Sequence, residues 1–163
     1  MTFDNLTDTE LEDLRTLPKR VVNPKARAAN KEGTEQFNYK LESLDGTRHY
    51  QLYTRQNLRA GMEDDFSCGL NVVKPNGESL TLCRYNGPSH PHRNHLEKER
   101  FQFEPHIHVA TERYIAANRD PETYATTTQR FRTLQGALHC LVTDCAVSGL
   151  QTTPDEPTLF PIP

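Results

Sequence analysis

Five of the seven histidines of this chain, His90, His92, His95, His106 and His108, fall within Arg84 to Arg113, RYNGPSHPHRNHLEKERFQFEPHIHVATER. Imidazole has an ordinary pKa of about 6.5, so it both gives and takes protons near neutrality. The chemistry that best fits such a cluster is metal-independent cleavage of RNA. One group removes the proton of the ribose 2′-hydroxyl and another protonates the leaving 5′-oxygen. A cation steadies the extra charge on phosphorus. His92 with His106 or His108 supplies the acid/base pair, and His90 and Glu112 are further candidates. Arg84 and Arg93 are the expected phosphate-binding cations, and Tyr85 and Tyr53 can touch phosphate or stack on a base.

Two other readings use the same residues. His90, His92, His106 and His108 could hold zinc or manganese, which makes zinc the alternative to an expectation of no cofactor. His106-x-His108 followed by Glu112 has the HxHxxxE spacing found in cupin barrels. Arg100 and Arg119 stand where a cupin has glycines, so cupin chemistry is not expected. In the third reading the histidines are scaffold, and Glu112 is a first-turn carboxylate favouring a helix dipole. His49 and His139 lie outside the cluster and read as structural.

The elements that position these residues follow from periodicity. Thr7-Asp8-Thr9-Glu10 is a capping box, Leu11, Leu14 and Leu17 share one helix face, and Pro18 ends that helix. Residues 19–33 read as an irregular basic connection carrying Lys19, Arg20, Lys25, Arg27 and Lys31. Phe37, Tyr39 and Leu41 then alternate with polar residues, Asp45-Gly46 marks a hairpin, and Arg48 to Thr54 returns. Phe66 to Val72 and Leu80 to Tyr85, joined by Pro75-Asn76-Gly77, complete a four-strand antiparallel meander. A fifth strand places Phe101, Phe103, Ile107 and Val109 on one face. His106 and His108 then face the other way. Thr111 to Asn118 reads as a helix. Phe131, Leu134, Leu138, Leu141, Val142 and Cys145 mark a last, long helix from Thr126 to Ser148.

The expected fold is therefore α+β: an antiparallel sheet of about five strands packed against a long C-terminal helix, with the short N-terminal helix at an edge. Residues 1–150 form one domain, and 151–163 form a loose, proline-rich tail. Composition agrees with this class: 163 residues, 34% hydrophobic, 25% charged, and no apolar run of membrane-spanning length. The polar, acidic start MTFDNLTDTE is not a signal peptide, so a cytoplasmic protein without a membrane partner is expected. Its four cysteines are then core thiols rather than disulfides. A net charge of −3 excludes a uniformly basic nucleic-acid coat, but a local basic patch can still contact phosphates.

Arg84-Tyr85-Asn86-Gly87 followed by Ser89-His90-Pro91-His92-Arg93-Asn94 is similar to the strand-end "RYDN…HxH" phrase of TumE-type bacterial toxins. From about Leu6 to Gly149 the chain also resembles a family of uncharacterised bacterial proteins. The shared phrases are FSCGL (Phe66 to Leu70), RYNG and SHPH (Arg84 to His92), HIH and ATERY (His106 to Tyr114) and ALHCL (Ala137 to Leu141). The toxin resemblance implies a small sheet-and-helix protein acting with a neighbouring antitoxin. It covers only the strand end and loop, and Pro88, Pro91 and the HIH strand depart from it. The leading expectation is a toxin-like, metal-independent ribonuclease with RNA as substrate. The alternative is a non-catalytic binding module of a defence or mobile-element system. Its histidines would hold a structural metal or meet a protein partner.

Overall fold

The computed structural model describes residues 2–156. The first helix, α1 (Asp8–Thr16), starts where the capping box requires: the Thr7 hydroxyl accepts from the Glu10 amide at 3.1 Å. Two short strands follow, β1 (Lys19–Val21) and β2 (Ala29–Lys31). The meander is β3 (Thr34–Ser43), β4 (His49–Asn57), β5 (Phe66–Val73) and β6 (Ser79–Asn86). A separate hairpin, β7 (His92–Asn94) and β8 (Glu99–Phe101), precedes β9 (His106–Val109). The chain continues as α2 (Glu112–Ala116), β10 (Ala125–Thr127), α3 (Leu134–Asp144) and β11 (Val147–Ser148).

The main sheet has nine strands in the order β10-β9-β6-β5-β4-β3-β1-β11, with β2 also paired to β3. Only β1 and β11 pair in parallel. This corrects the expected five-strand sheet. The four-strand meander is present, but β1, β2, β10 and β11 span only two or three residues each, too short to show an alternation.

The long C-terminal helix is also corrected. Ala125–Thr127 is a strand, with Thr126 opposite Ile107, and the helix spans only the eleven residues Leu134–Asp144. Its N-cap is Thr133, whose hydroxyl accepts from the Gly136 amide at 3.1 Å. Phe131 keeps its place in the apolar stripe without being helical, because it packs on Tyr85 and Phe66. The expected fifth strand breaks in two at Pro105, and Phe103 is exposed.

The core lies between the sheet and two helices. Leu41, Leu52, Leu70, Leu82 and Leu141 are fully buried there. Rather than sitting at an edge, α1 lies on this covered face: Leu11 and Leu14 join the core, and the Tyr50 hydroxyl donates to the Leu14 carbonyl at 2.8 Å. Lys19 is not part of a surface patch. Its ammonium is buried and donates to the Arg15 carbonyl in the last turn of α1 and to the Cys145 carbonyl that ends α3, at 2.8 and 2.7 Å. Cations favour both helix C-termini for the same electrostatic reason. All four cysteines are buried free thiols, and Cys83 and Cys145 lie 3.8 Å apart.

Asp155 bears on the tail expectation: its carboxylate accepts from the Thr133 amide at 3.1 Å and from the Arg132 amide and Thr133 hydroxyl. Residues 157–163 lie outside the described residues. Among the described residues no helix is long and apolar enough to cross a membrane.

Candidate functional site

The sheet face away from the helices carries two transverse rows set by register. Gln36, Arg55, Ser67, Asn86 and His106 are successive partners across β3, β4, β5, β6 and β9. Asn38, Tyr53, Gly69, Arg84 and His108 form the next row, two residues along each strand and so on the same face. An open cleft of about 520 Å³ lies over these rows, lined by Tyr53, Arg55, Ser67, Arg84, Asn86 and His90 among others.

The chain after β6 turns back over this face. The Gly87 amide donates to the Phe66 carbonyl at 3.0 Å, and a Cβ at residue 87 would stand 2.5 Å from the Phe66 ring. Only glycine permits that close approach. The returning loop brings His90 and His92 onto the strand histidines. Ring centroids are 5.3 Å apart for His90–His106, 5.8 Å for His92–His106, 4.8 Å for His92–His108 and 5.0 Å for His106–His108. Four of the five clustered histidines therefore meet in one place. His90 is exposed at the cleft, whereas His106 and His108 are buried beneath the loop.

Hydrogen bonds orient each buried ring. His106 donates through Nδ1 to the Glu104 carbonyl at 2.8 Å, and its Nε2 accepts from the Asn86 amide at 3.4 Å. His108 donates through Nδ1 to the Glu122 carbonyl at 2.9 Å, which leaves Nε2 a bare lone pair with no protein partner. His92 donates through Nε2 to Asn94 Oδ1 at 2.9 Å. Asn94 in turn clips the hairpin to the sheet edge. Its amide nitrogen donates to the Ala125 carbonyl at 2.8 Å, and its oxygen accepts from the Ala125 amide at 2.9 Å. A second clamp holds the hairpin turn: Tyr114 donates to Glu97 at 2.6 Å, and the Leu96 amide donates to the Tyr114 hydroxyl.

Burial sets the electrostatics. It pushes His106 down to about 4 and His108 down to about 2; His92 and Arg84 nearby oppose protonation of both rings further, and His90 that of His106. Burial also lowers His92, against the pull of its bond to Asn94. His106 and His108 are thus neutral near pH 7. The cations of the cleft are Arg55, held at 2.8 Å by Asp65, and Arg84, 3.9 Å from Glu122. The Arg84 Nε is buried without a partner.

Several predicted residues stand elsewhere. Tyr85 faces the helical side, where it stacks on Phe131 and donates to Asp144, so it is not a phosphate ligand of this cleft. Arg93 alternates with His92 and Asn94 on β7 and points outward, opposite Arg100. Glu112 bonds reciprocally with Asp8, tying α2 to α1 rather than joining the imidazoles. His95 is exposed in the hairpin turn, and His139 bonds to Thr152.

Asn94, Asn86, Ser67 and Arg55 were missed as site residues. The periodicity of β4 and β5 puts Arg55 and Ser67 on the polar face, and that was the available signal; nothing in the local sequence marks Asn94. Among the described residues no group of three or more His, Cys, Asp or Glu side chains is arranged to hold a metal ion. No family model, curated protein or solved structure matches the chain significantly.

Proposed function

We propose that the chain is a toxin-like ribonuclease that cleaves RNA without a metal, with the phosphodiester held in the cleft on the uncovered sheet face. The observation that carries this reading is the meeting of His90 with His92, His106 and His108 beside Arg84 and Arg55. Arg84 and Arg55 offset the charge on the phosphoryl oxygens. His90, at the cleft, takes the 2′-hydroxyl proton and returns one to the 5′-oxygen, with the buried rings packed behind it. His106, held near 4, and His108, held lower still, stay neutral at pH 7 and are weak bases there, so they position the site rather than carry the proton. The 2′-oxygen attacks phosphorus as its proton leaves, and the 5′-oxygen departs with a proton. A 2′,3′-cyclic phosphate and a 5′-hydroxyl end result. In this reading the protein works in a bacterial cytoplasm and has an antitoxin as its protein partner.

The test is cleavage of RNA by purified protein in excess chelator, with end groups identified by mass spectrometry. His90→Ala and His106→Ala should each lower the rate about 100-fold, and a 2′-deoxy residue should block its own linkage. Intact RNA, together with unaffected growth on expression, refutes the ribonuclease.

One observation favours a second reading, the non-catalytic module. His106 and His108 both donate through Nδ1 to backbone carbonyls, the orientation that histidines ligating through Nε2 adopt, and His108 Nε2 has no protein partner. The rings would have to rotate to share an ion. Stoichiometric zinc whose removal unfolds the protein would establish that reading instead.

A further inference from the structure

We propose that the substrate is single-stranded RNA laid across the uncovered sheet face, from His90 over Tyr53 and Gln36 to Lys31 and Arg59. This rests on the ribonuclease reading and gives its substrate a path. The cleft beside the imidazoles does not end at β4. A second cleft of about 580 Å³ begins at Gln36, which lines both, and continues over Thr34 and Asn38 to Lys31, Glu32 and Arg59. Both lie on the face without helices, so no element interrupts the line between them.

Charge along this line is opposite to that of the chain. Arg84, Arg55, Lys31 and Arg59 line it with one carboxylate, Glu32; even with Asp65 held by Arg55 and Glu122 near Arg84, cations outnumber carboxylates along the path, whereas the whole chain carries −3. The Arg59 guanidinium is not loose: it donates to the Glu32 carbonyl and lies against Gly33. A fixed cation at the far end of a groove is suited to a phosphate of a bound strand rather than to diffuse attraction.

Tyr53 supplies an aromatic plane midway. Its cross-strand partner is Gly69, and a Cβ there would come within 2.6 Å of the phenol ring, so glycine lets the ring lie down on the sheet. A half-buried flat ring between guanidinium groups is the combination that non-sequence-specific single-strand binders use, stacking a base while cations follow the backbone. From β9 to β3 the face crosses five strands, about 19 Å at the usual strand spacing. That accommodates a strand on the order of four nucleotides. It is short for duplex RNA, which is bound by shape over about 16 base pairs.

The path is tested by fluorescence anisotropy with uncleavable 2′-fluoro oligouridylates, a dinucleotide and an oligomer of about eight nucleotides. The longer oligomer should bind at least about tenfold more tightly. Lys31→Glu and Arg59→Glu should each weaken it about tenfold and reduce the salt slope by about one, leaving the dinucleotide unaffected. Lys31 is exposed, so its variant tests the path even if the Arg59 variant disturbs the turn at Gly33. Equal binding of both lengths, indifference of the longer oligomer to both substitutions, or preference for a duplex of the same length overturns the path. The two proposals fail separately. Cleavage of a dinucleotide without any length dependence removes the path alone; length-dependent binding without cleavage removes the catalytic reading alone.

Discussion

Two titratable groups are withdrawn from water on opposite sides of the sheet, and their surroundings differ. On the helical side the Lys19 ammonium, fully buried, has two carbonyl acceptors and the Tyr50 ring 4.6 Å away. On the open side His108, almost as buried, has one nitrogen satisfied and the other bare. Burial lowers both, Lys19 to about 8 and His108 to about 2. The lysine joins two helix ends through two of its three N–H donors and lies over the Tyr50 ring. The histidine keeps a lone pair without a protein partner, a cost that structure alone does not require. Lys19 is held between two helix ends, whereas His108 keeps a bare acceptor on the open face.

The largest consequence of that contrast is acid sensitivity. The unfolded chain protonates its histidines near pH 6.5, whereas folded His106 resists until about pH 4. Between those values the unfolded state binds the extra proton. Stability is thus full above pH 6.5 and falls as pH drops toward 4, by about 1.4 kcal/mol per pH unit for each such histidine. His108 continues the loss toward pH 2. Urea denaturation from pH 7 to 4 measures it. A flat profile would mean that the rings are not buried neutral.

Next in size is Lys19→Met, which strips both helix-end carbonyls of their donor. A loss of about 3 kcal/mol in urea unfolding is expected, with the activity of the remaining folded protein unchanged. His108→Leu should do the reverse. One donor to the Glu122 carbonyl is lost but an unpaired lone pair leaves with the ring, so stability should fall by only about 1 kcal/mol, while RNA cleavage falls about 100-fold. If His108→Leu unfolds the protein instead, the two sides are alike and the ring is scaffold.

Asn94→Ala removes the clip between hairpin and sheet edge, and about 2 kcal/mol should be lost. Asn94→Asp retains the acceptor for His92 and adds charge, so the His92 titration followed by NMR should move upward. The smallest effect belongs to Arg93→Ala: its side chain points away from the cleft, so stability should stay within about 0.5 kcal/mol and cleavage should be unaltered.

Much of the open face was legible in the sequence. Asp45-Gly46 and the alternations at Phe37 to Leu41 and Phe66 to Val72 set the meander, and the odd/even split of Ile107 and His108 fixed which way the histidines face. What was illegible depends on distant partners. β1 is a strand only because Ser43 and Val147 flank Lys19, and Thr126 is a strand residue only because Ile107 lies opposite. Asn94 bonds to Ala125, 31 positions later, so no local pattern reveals it. The apolar stripe from Phe131 to Cys145 misled because a core-facing aromatic keeps helical spacing by coincidence when the preceding segment is bent.

Three of the four thiols, Cys68, Cys83 and Cys145, are enclosed, the last two side by side between β6 and the end of α3. A disulfide reagent can modify them only during transient openings, so the labelling rate is a built-in clock for how often this protein breathes. Slower labelling in the presence of an oligonucleotide would then report occupancy of the opposite face without any attached probe.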